Sequence, residues 1–254
     1  MKSLGQYFLK SQRVINKIID AADLKTSDIV LEVGPGKGIL TEALLQKVKQ
    51  VIAVEKDKRL AGFLLSKFND CKNLSVIHKD ILKFQVSGFG FQDYKIVANI
   101  PYYITSRFLR KFLERGNPPE LMVLMLQKEV AERITAKPPH MNLLAISVQI
   151  YAEPKIISRV SKNCFSPVPK VDSAIVKIQN IKKPKNIDII RFFQIVKAGF
   201  SSPRKLLINN LASKLKLSKQ DLGQVFQECK IPPKTRAENL SIQDWKCLSA
   251  AMHQ

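Results

Sequence analysis

The chain has 254 residues, 45% of them hydrophobic and 25% charged, enough to bury a full core and balanced like an ordinary globular protein. No apolar run approaches the ~20 residues of a membrane span, and the opening Met1-Lys2-Ser3-Leu4-Gly5-Gln6 lacks the apolar core of a secretory signal; a cytoplasmic protein with no membrane association is expected. Lys and Arg total 42 against 21 Asp and Glu, a formal net charge of +21, which points to a polyanionic partner.

That charge is uneven. Residues 1–154 carry 23 basic and 15 acidic side chains, residues 155–254 carry 19 and 6. A nucleic acid fits this better than a membrane surface, because no amphipathic anchor helix stands out. Cys71, Cys164, Cys229 and Cys247 are widely spaced, with no Cys-x-x-Cys pair and few histidines. Neither a zinc site nor a disulfide framework is expected, only buried free thiols, and no metal.

The first predicted strand is Ile29–Val33, and it runs into Leu31-Glu32-Val33-Gly34-Pro35-Gly36-Lys37-Gly38-Ile39-Leu40-Thr41. Glycines there let a ligand approach the backbone, and the helix that follows, around 40–48, offers unpaired N–H donors. A second strand, Val51–Val54, ends at Glu55, placed to accept hydrogen bonds from two ribose hydroxyls. A nicotinamide dehydrogenase shows the same order of parts, usually with G-x-G-x-x-G, and a glycine turn can serve packing alone. The spacing here is G-x-G-x-G, and Glu32 beside the turn suits a ligand with an ammonium group better than a pyrophosphate. A helix over 58–68 leads to the strand Leu74–Ile77 and to Asp80, either a helix cap or an acceptor for an adenine amine.

After the fourth strand, Ile96–Ala98, comes Asn99-Ile100-Pro101-Tyr102, where ligands bind in open α/β sheets. An adenine amine is a poor nucleophile because its lone pair is delocalised into the ring. An Asn oxygen and a backbone carbonyl of one loop can accept its two N–H bonds and localise that lone pair. Pro101 extends the preceding residue, so that its carbonyl points outward, and Tyr102 offers a face for stacking a base. No strong base is present, so catalysis would rest on positioning and fixed dipoles. Elsewhere in the chain the tetrapeptide would be read as a turn.

A helix over 104–115, the strand Leu121–Leu126 and a helix over 127–136 follow. Leu144–Tyr151, Ile156–Val160 and Ala174–Ile178, broken by Pro154 and by Pro167 and Pro169, are expected as antiparallel strands closing a mostly parallel sheet. From about residue 184 the pattern is helical only, over 187–199, 203–214, 218–229 and 241–252. That block is a small all-α appendage.

Taken together the motifs resemble the rRNA adenine dimethyltransferases of the KsgA type. The resemblance covers essentially the whole chain. It starts at Gly5-Gln6-Tyr7-Phe8-Leu9 and takes in Glu32-Val33-Gly34-Pro35-Gly36-x-Gly38 and Asn99-Ile100-Pro101-Tyr102. It continues through Leu126-Gln127-Lys128-Glu129-Val130-Ala131 and Phe165-x-Pro167-x-Pro169-x-Val171-x-Ser173, and ends at Arg236-Ala237-Glu238-Asn239-Leu240-Ser241. The middle motifs are shared with methyltransferases acting on large-subunit rRNA; the last resembles the small-subunit enzymes.

The resemblance implies an α/β fold, a Rossmann-like seven-stranded class I methyltransferase sheet with a small all-α C-terminal domain. Residues 1–182 would form the S-adenosylmethionine-dependent methyltransferase domain and 183–254 a helical RNA-binding domain. The implied reaction is dimethylation of two adjacent adenines near the 3' end of 16S (small-subunit) rRNA, on the immature small ribosomal subunit. Asn99, Ile100, Pro101 and Tyr102 would be catalytic. Gln6, Tyr7, Leu9, Gly34, Gly36, Glu55, Asp80 and Asn99 would hold S-adenosylmethionine. Tyr102 and Phe165 would stack on the target base, with Arg204 and Lys205 on RNA; without the family, Phe165 is a core aromatic. Two departures stand out: Tyr7 replaces the family's Asn or His, and its paired arginines become Pro203-Arg204-Lys205. A monomer is expected, since the substrate particle is large. The competing readings are a large-subunit (macrolide-resistance) methyltransferase, a non-catalytic ribosome assembly factor and a nicotinamide dehydrogenase.

Overall fold

The structure is a computed structural model that describes residues 7–86, 93–114 and 117–252. Short runs rich in Val, Ile and Leu become strands, most of them buried on both faces, although the edge strand over Leu74–His78 is only half-buried. Five of them are parallel: β2 (Ile29–Val33), β3 (Gln50–Glu55), β4 (Leu74–His78), β5 (Lys95–Asn99) and β6 (Leu121–Gln127). Helices α2 (Ile39–Leu45), α3 (Lys58–Lys67) and α4 (Thr105–Glu114) connect them, and α5 (Lys128–Ile134) follows β6. The sheet is completed by β7 (Glu153–Val160) and β9 (Ser173–Gln179), both antiparallel, in the order β4-β3-β2-β5-β6-β9-β7. Pro154 lies in β7, an edge strand, where a proline is tolerated.

The strand order reverses at β2. From β2 the chain crosses to β3 on one side, and from β5 to β6 on the other. A crevice opens where the carboxyl ends of such neighbours part, and this is where open α/β sheets bind ligands. Gly34 follows β2 and Ile100 follows β5, so both motif loops rise from it.

Three features of the secondary structure differ from expectation. Helix α1 (Gln12–Ala22) is not among the predicted elements, although Val14, Ile15, Ile18 and Ala22 share its buried face. A two-stranded sheet pairs β1 (Phe8–Leu9) with β8 (Phe165–Ser166), joining the N-terminal motif to the Phe165 motif. Leu144–Tyr151, expected as a strand, is instead mostly α6 (Leu143–Gln149): Asn142 caps it by accepting from Ala145 N at 3.0 Å, and a short apolar run alone does not distinguish the two states.

Packing divides the chain into two compact units. One runs to Glu132 and resumes over Ala152–Lys182; the other joins Arg133–Tyr151 to the chain from Lys183 onward. The excursion over 133–151 is a departure from the simple boundary at 182. It has a local cause, since Met141 N donates to Glu238 O at 2.9 Å. The second unit holds α7 (Ile189–Gly199), α8 (Leu207–Leu215), α9 (Lys219–Glu228) and α10 (Ile242–Ala251), around buried Phe192, Leu211, Phe226 and Trp245. Cys229 and Cys247 are not free thiols: they form a disulfide with Cα atoms 5.7 Å apart, joining the C-terminal end of α9 to α10. Wide spacing in the sequence conceals that pairing. Cys71 and Cys164 are free.

Candidate active site

A cavity of about 630 Å³ opens at the crevice between β2 and β5. Its floor is the glycine turn. Gly34 and Gly36 adopt φ of 65° and 60°, left-handed backbone that side chains disfavour. A Cβ on Gly34 would stand 3.6 Å from Pro101 Cδ and 3.9 Å from Asn99 O, so the turn and the Asn99 loop pack directly together. On Gly36 it would stand 3.1 Å from the Phe8 ring, which covers the turn and carries Lys37 Nζ 5.1 Å from its centroid. The β1–β8 pairing places Phe8 there.

Three carboxylates face the cavity in different states. Glu55 Oε2 accepts from Gly36 N at 3.2 Å and Oε1 from Asp57 N at 2.9 Å, which leaves lone pairs on both oxygens. Glu32 is 1% exposed and its Oε2 has no hydrogen-bond partner. Burial pushes its carboxyl up to about 8, and the nearby charge of Glu55 adds to the rise. The Thr41 hydroxyl, which faces it from α2 without reaching good hydrogen-bond geometry, opposes it. An orphaned buried carboxyl of this kind keeps its proton at neutral pH unless a cation comes to pair with it. Asp80 pairs with Lys56 at 3.0 Å and accepts from Leu82 N at 3.0 Å, combining the cap and cavity roles. Burial works against its charge, but the Leu82 N–H and Lys56 outweigh it and hold the carboxyl below the usual range.

Opposite stands the tetrapeptide. The Asn99 side chain lines the cavity and makes no hydrogen bond to another described residue. Ile100 is anchored by donating its N–H to Met125 O at 3.3 Å, and Pro101 O accepts from Ile104 N at 3.1 Å. Tyr102 opens a single 3-10 turn, Tyr102–Ile104. Its hydroxyl lies 2.8 Å from Ser173 Oγ, and its ring stacks with Tyr7 at 6.1 Å and 30°. Burial raises the Tyr102 phenol above its ordinary value.

The structure therefore gathers Tyr7, Leu9, Gly34, Gly36, Glu55, Asp80, Asn99, Ile100, Pro101, Tyr102 and Phe165 around one cavity. Phe165 is only 1% exposed and belongs to the core cluster with Leu9 and Ile18 as well as to the wall. Gln6 lies outside the described residues. Arg204 and Lys205 are exposed on the α7–α8 loop of the helical unit and are not among the residues that line the cavity. Sequence reasoning does not single out Phe8, Lys56 and Ser173. Phe8 and Ser173 stand inside the family motifs, and Lys56 directly follows Glu55, so position is their available signal. Among the described residues no His, Cys, Asp and Glu side chains cluster as metal ligands. An ammonium seat at Glu32, a diol acceptor at Glu55 and a glycine turn fit a nucleoside with an amino-acid tail.

Over residues 1–254 the chain matches the family described as ribosomal RNA adenine dimethylase. A relative from Dehalococcoides mccartyi, "Ribosomal RNA small subunit methyltransferase A", is 48% identical over 251 residues, covering 97% of this chain and 86% of the relative. Among solved structures, a dimethyladenosine transferase from Plasmodium falciparum superposes with a TM-score of 0.81 at 29% identity, covering 97% of each chain. The 23S rRNA methyltransferase ErmE gives 0.81 at 26% identity, covering 97% of this chain and all of the other. No transmembrane-length apolar helix occurs among the described residues. The chain belongs to the ribosomal RNA adenine dimethylase family, and as such it is a methyltransferase that uses S-adenosylmethionine.

Proposed function

We propose that this protein dimethylates two adjacent adenines near the 3' end of small-subunit rRNA, in the cytoplasm and on the immature subunit. The observation that carries the reading is the packing of the Asn99–Pro101 loop against Gly34 within one cavity. S-adenosylmethionine, when bound, supplies an electrophilic methyl group on a sulfonium. Glu32 takes its ammonium, the free lone pairs of Glu55 accept from its ribose hydroxyls, and Asp80 accepts from its adenine amine. Tyr7 and Leu9 close over it. The Asn99 oxygen and the Ile100 carbonyl accept the two N–H bonds of the target amine and localise its lone pair, while Tyr102 gives the base a stacking face and Phe165 backs the wall. With no strong base in the loop, the proton leaves to water after transfer, and positioning provides the rate. The helical unit grips RNA, Arg204 and Lys205 among its contacts.

The closing motif favours the small subunit over the large one. In the structure Arg236–Ser241 also shapes the start of the last helix. Ser241 and Asp244 cap α10 reciprocally, and Ala237 and Leu240 are buried beneath exposed Arg236 and Asn239. Mapping dimethyladenine by primer extension on both rRNAs, with and without the gene, tests the reading. Loss confined to the 3' end of the small-subunit rRNA is expected; loss confined to the large subunit overturns the assignment.

A further inference from the structure

The inference rests on Tyr102 as the platform for the target base and names what holds it. β9 is apolar along Ala174, Ile175, Val176 and Ile178, yet it begins with a serine that is 0% exposed. Ser173 is paired with Gln127 of β6 on one side and Val160 of β7 on the other. A hydroxyl buried there costs free energy unless it is hydrogen-bonded. Its partner is the Tyr102 hydroxyl at 2.8 Å, and Ser173 itself does not line the cavity.

Tyr102 needs such an anchor. It sits at the start of a three-residue turn after Pro101, and its half-buried ring projects to the cavity. The backbone fixes where the ring begins but not its χ angles, which staggered rotamers leave to the surroundings. Ser173 holds the far tip of the ring, and Tyr7 occupies one side of it at 6.1 Å. A ring held at its tip and covered on one side presents a single stacking face in a single plane.

We propose that Ser173 is a positioning residue, which acts through the Tyr102 hydroxyl to hold the ring in the plane on which the target base stacks, with Tyr7 as its backing. The reaction's dependence on geometry makes the effect visible in turnover and not in cofactor affinity, because Ser173 does not line the cavity.

The test uses Ser173→Ala, Tyr102→Phe and the double variant, measured for methyl transfer to rRNA, for S-adenosylmethionine binding by calorimetry and for melting temperature. Each single variant is expected to lose about tenfold in kcat with cofactor affinity unchanged, and the double variant to be no worse than either, since both remove one bond. Wild-type turnover in Ser173→Ala, or losses that multiply in the double variant, would overturn the proposal. Should Ser173→Ala fail to fold, Tyr102→Phe removes the same bond from the other end, and full kcat in that variant is equally contrary. Ring spectra of protein carrying 13C-tyrosine separate this inference from the function it rests on. The Tyr102 signal should be single and sharp in the wild type and exchange-broadened in Ser173→Ala, whatever RNA the enzyme modifies. An unchanged ring signal would sink the positioning role even if rRNA methylation is confirmed, and an inactive wild type with the expected spectra would sink only the functional reading.

Discussion

Glu32 is where burial and charge conflict most. Its carboxyl titrates at about 8 in the folded chain against an ordinary value of 4.5. Between those values the folded protein keeps a proton that the unfolded chain has shed. The associated stability is complete below the ordinary value and is lost as pH rises through about 8. The melting temperature of the ligand-free wild type should therefore fall relative to that of Glu32→Gln between about pH 5 and about pH 9. S-adenosylmethionine should bind more tightly as pH rises from about 5 to about 7, before its own α-ammonium begins to deprotonate near about 8, and Glu32→Gln should bind it weakly at every pH. Parallel melting profiles for the two proteins would contradict the raised Glu32 carboxyl, and wild-type cofactor affinity in Glu32→Gln would contradict the ammonium seat. Gly34 makes a separate point about strain. At φ 65° and with only an ordinary 3.6 Å contact to Pro101, Gly34→Ala meets a backbone penalty and little steric one, a loss of about 1–2 kcal/mol by chemical denaturation.

Among the elements, those dictated by their own residues are the ones legible in the sequence. β2, β3, β5 and β6 stand out because a strand buried on both faces is a short, mostly apolar run, whereas β4, at the sheet edge, is only half-buried. The tetrapeptide Asn99–Tyr102 is legible as a candidate site because it is contiguous and lies at the end of β5. What escapes depends on partners distant in sequence. Ser173 lies 71 residues from Tyr102, and they meet only because β9 joins the sheet beside β6. Phe8 reaches Gly36 only through pairing with β8, and α6 reads as a strand until its cap, Asn142, is weighed against an apolar run that suits either state. The α7–α8 loop shows the same dependence. Buried Asn210 donates to Gly199 O at 2.7 Å and Ser202 O at 3.0 Å, fixing the loop that bears Arg204 and Lys205. Asn210→Ala should cost roughly 1–3 kcal/mol in denaturant unfolding. It should also weaken rRNA binding in a filter assay and leave S-adenosylmethionine affinity intact; unchanged RNA affinity would remove that loop from the RNA contact.

At the scale of the molecule, a net charge of +21 makes phosphate contact a collective property. Affinity for rRNA should fall by roughly a thousandfold between about 50 and 200 mM salt if six or more phosphates are neutralised. Arg204→Ala with Lys205→Ala should flatten the slope of log affinity against log salt by up to about two, uniformly across RNA sequences. In the proposed function charge holds the substrate, the sheet supplies the crevice, and the chemistry falls to the Asn99 loop that packs against Gly34. The most direct measurement is methyl transfer from labelled S-adenosylmethionine to the rRNA of immature small subunits by purified wild type and Asn99→Ala, with cofactor binding followed by calorimetry. The account predicts unchanged cofactor affinity and a loss of about a hundredfold or more in turnover for the variant. An Asn99→Ala protein that methylates at the wild-type rate would contradict it.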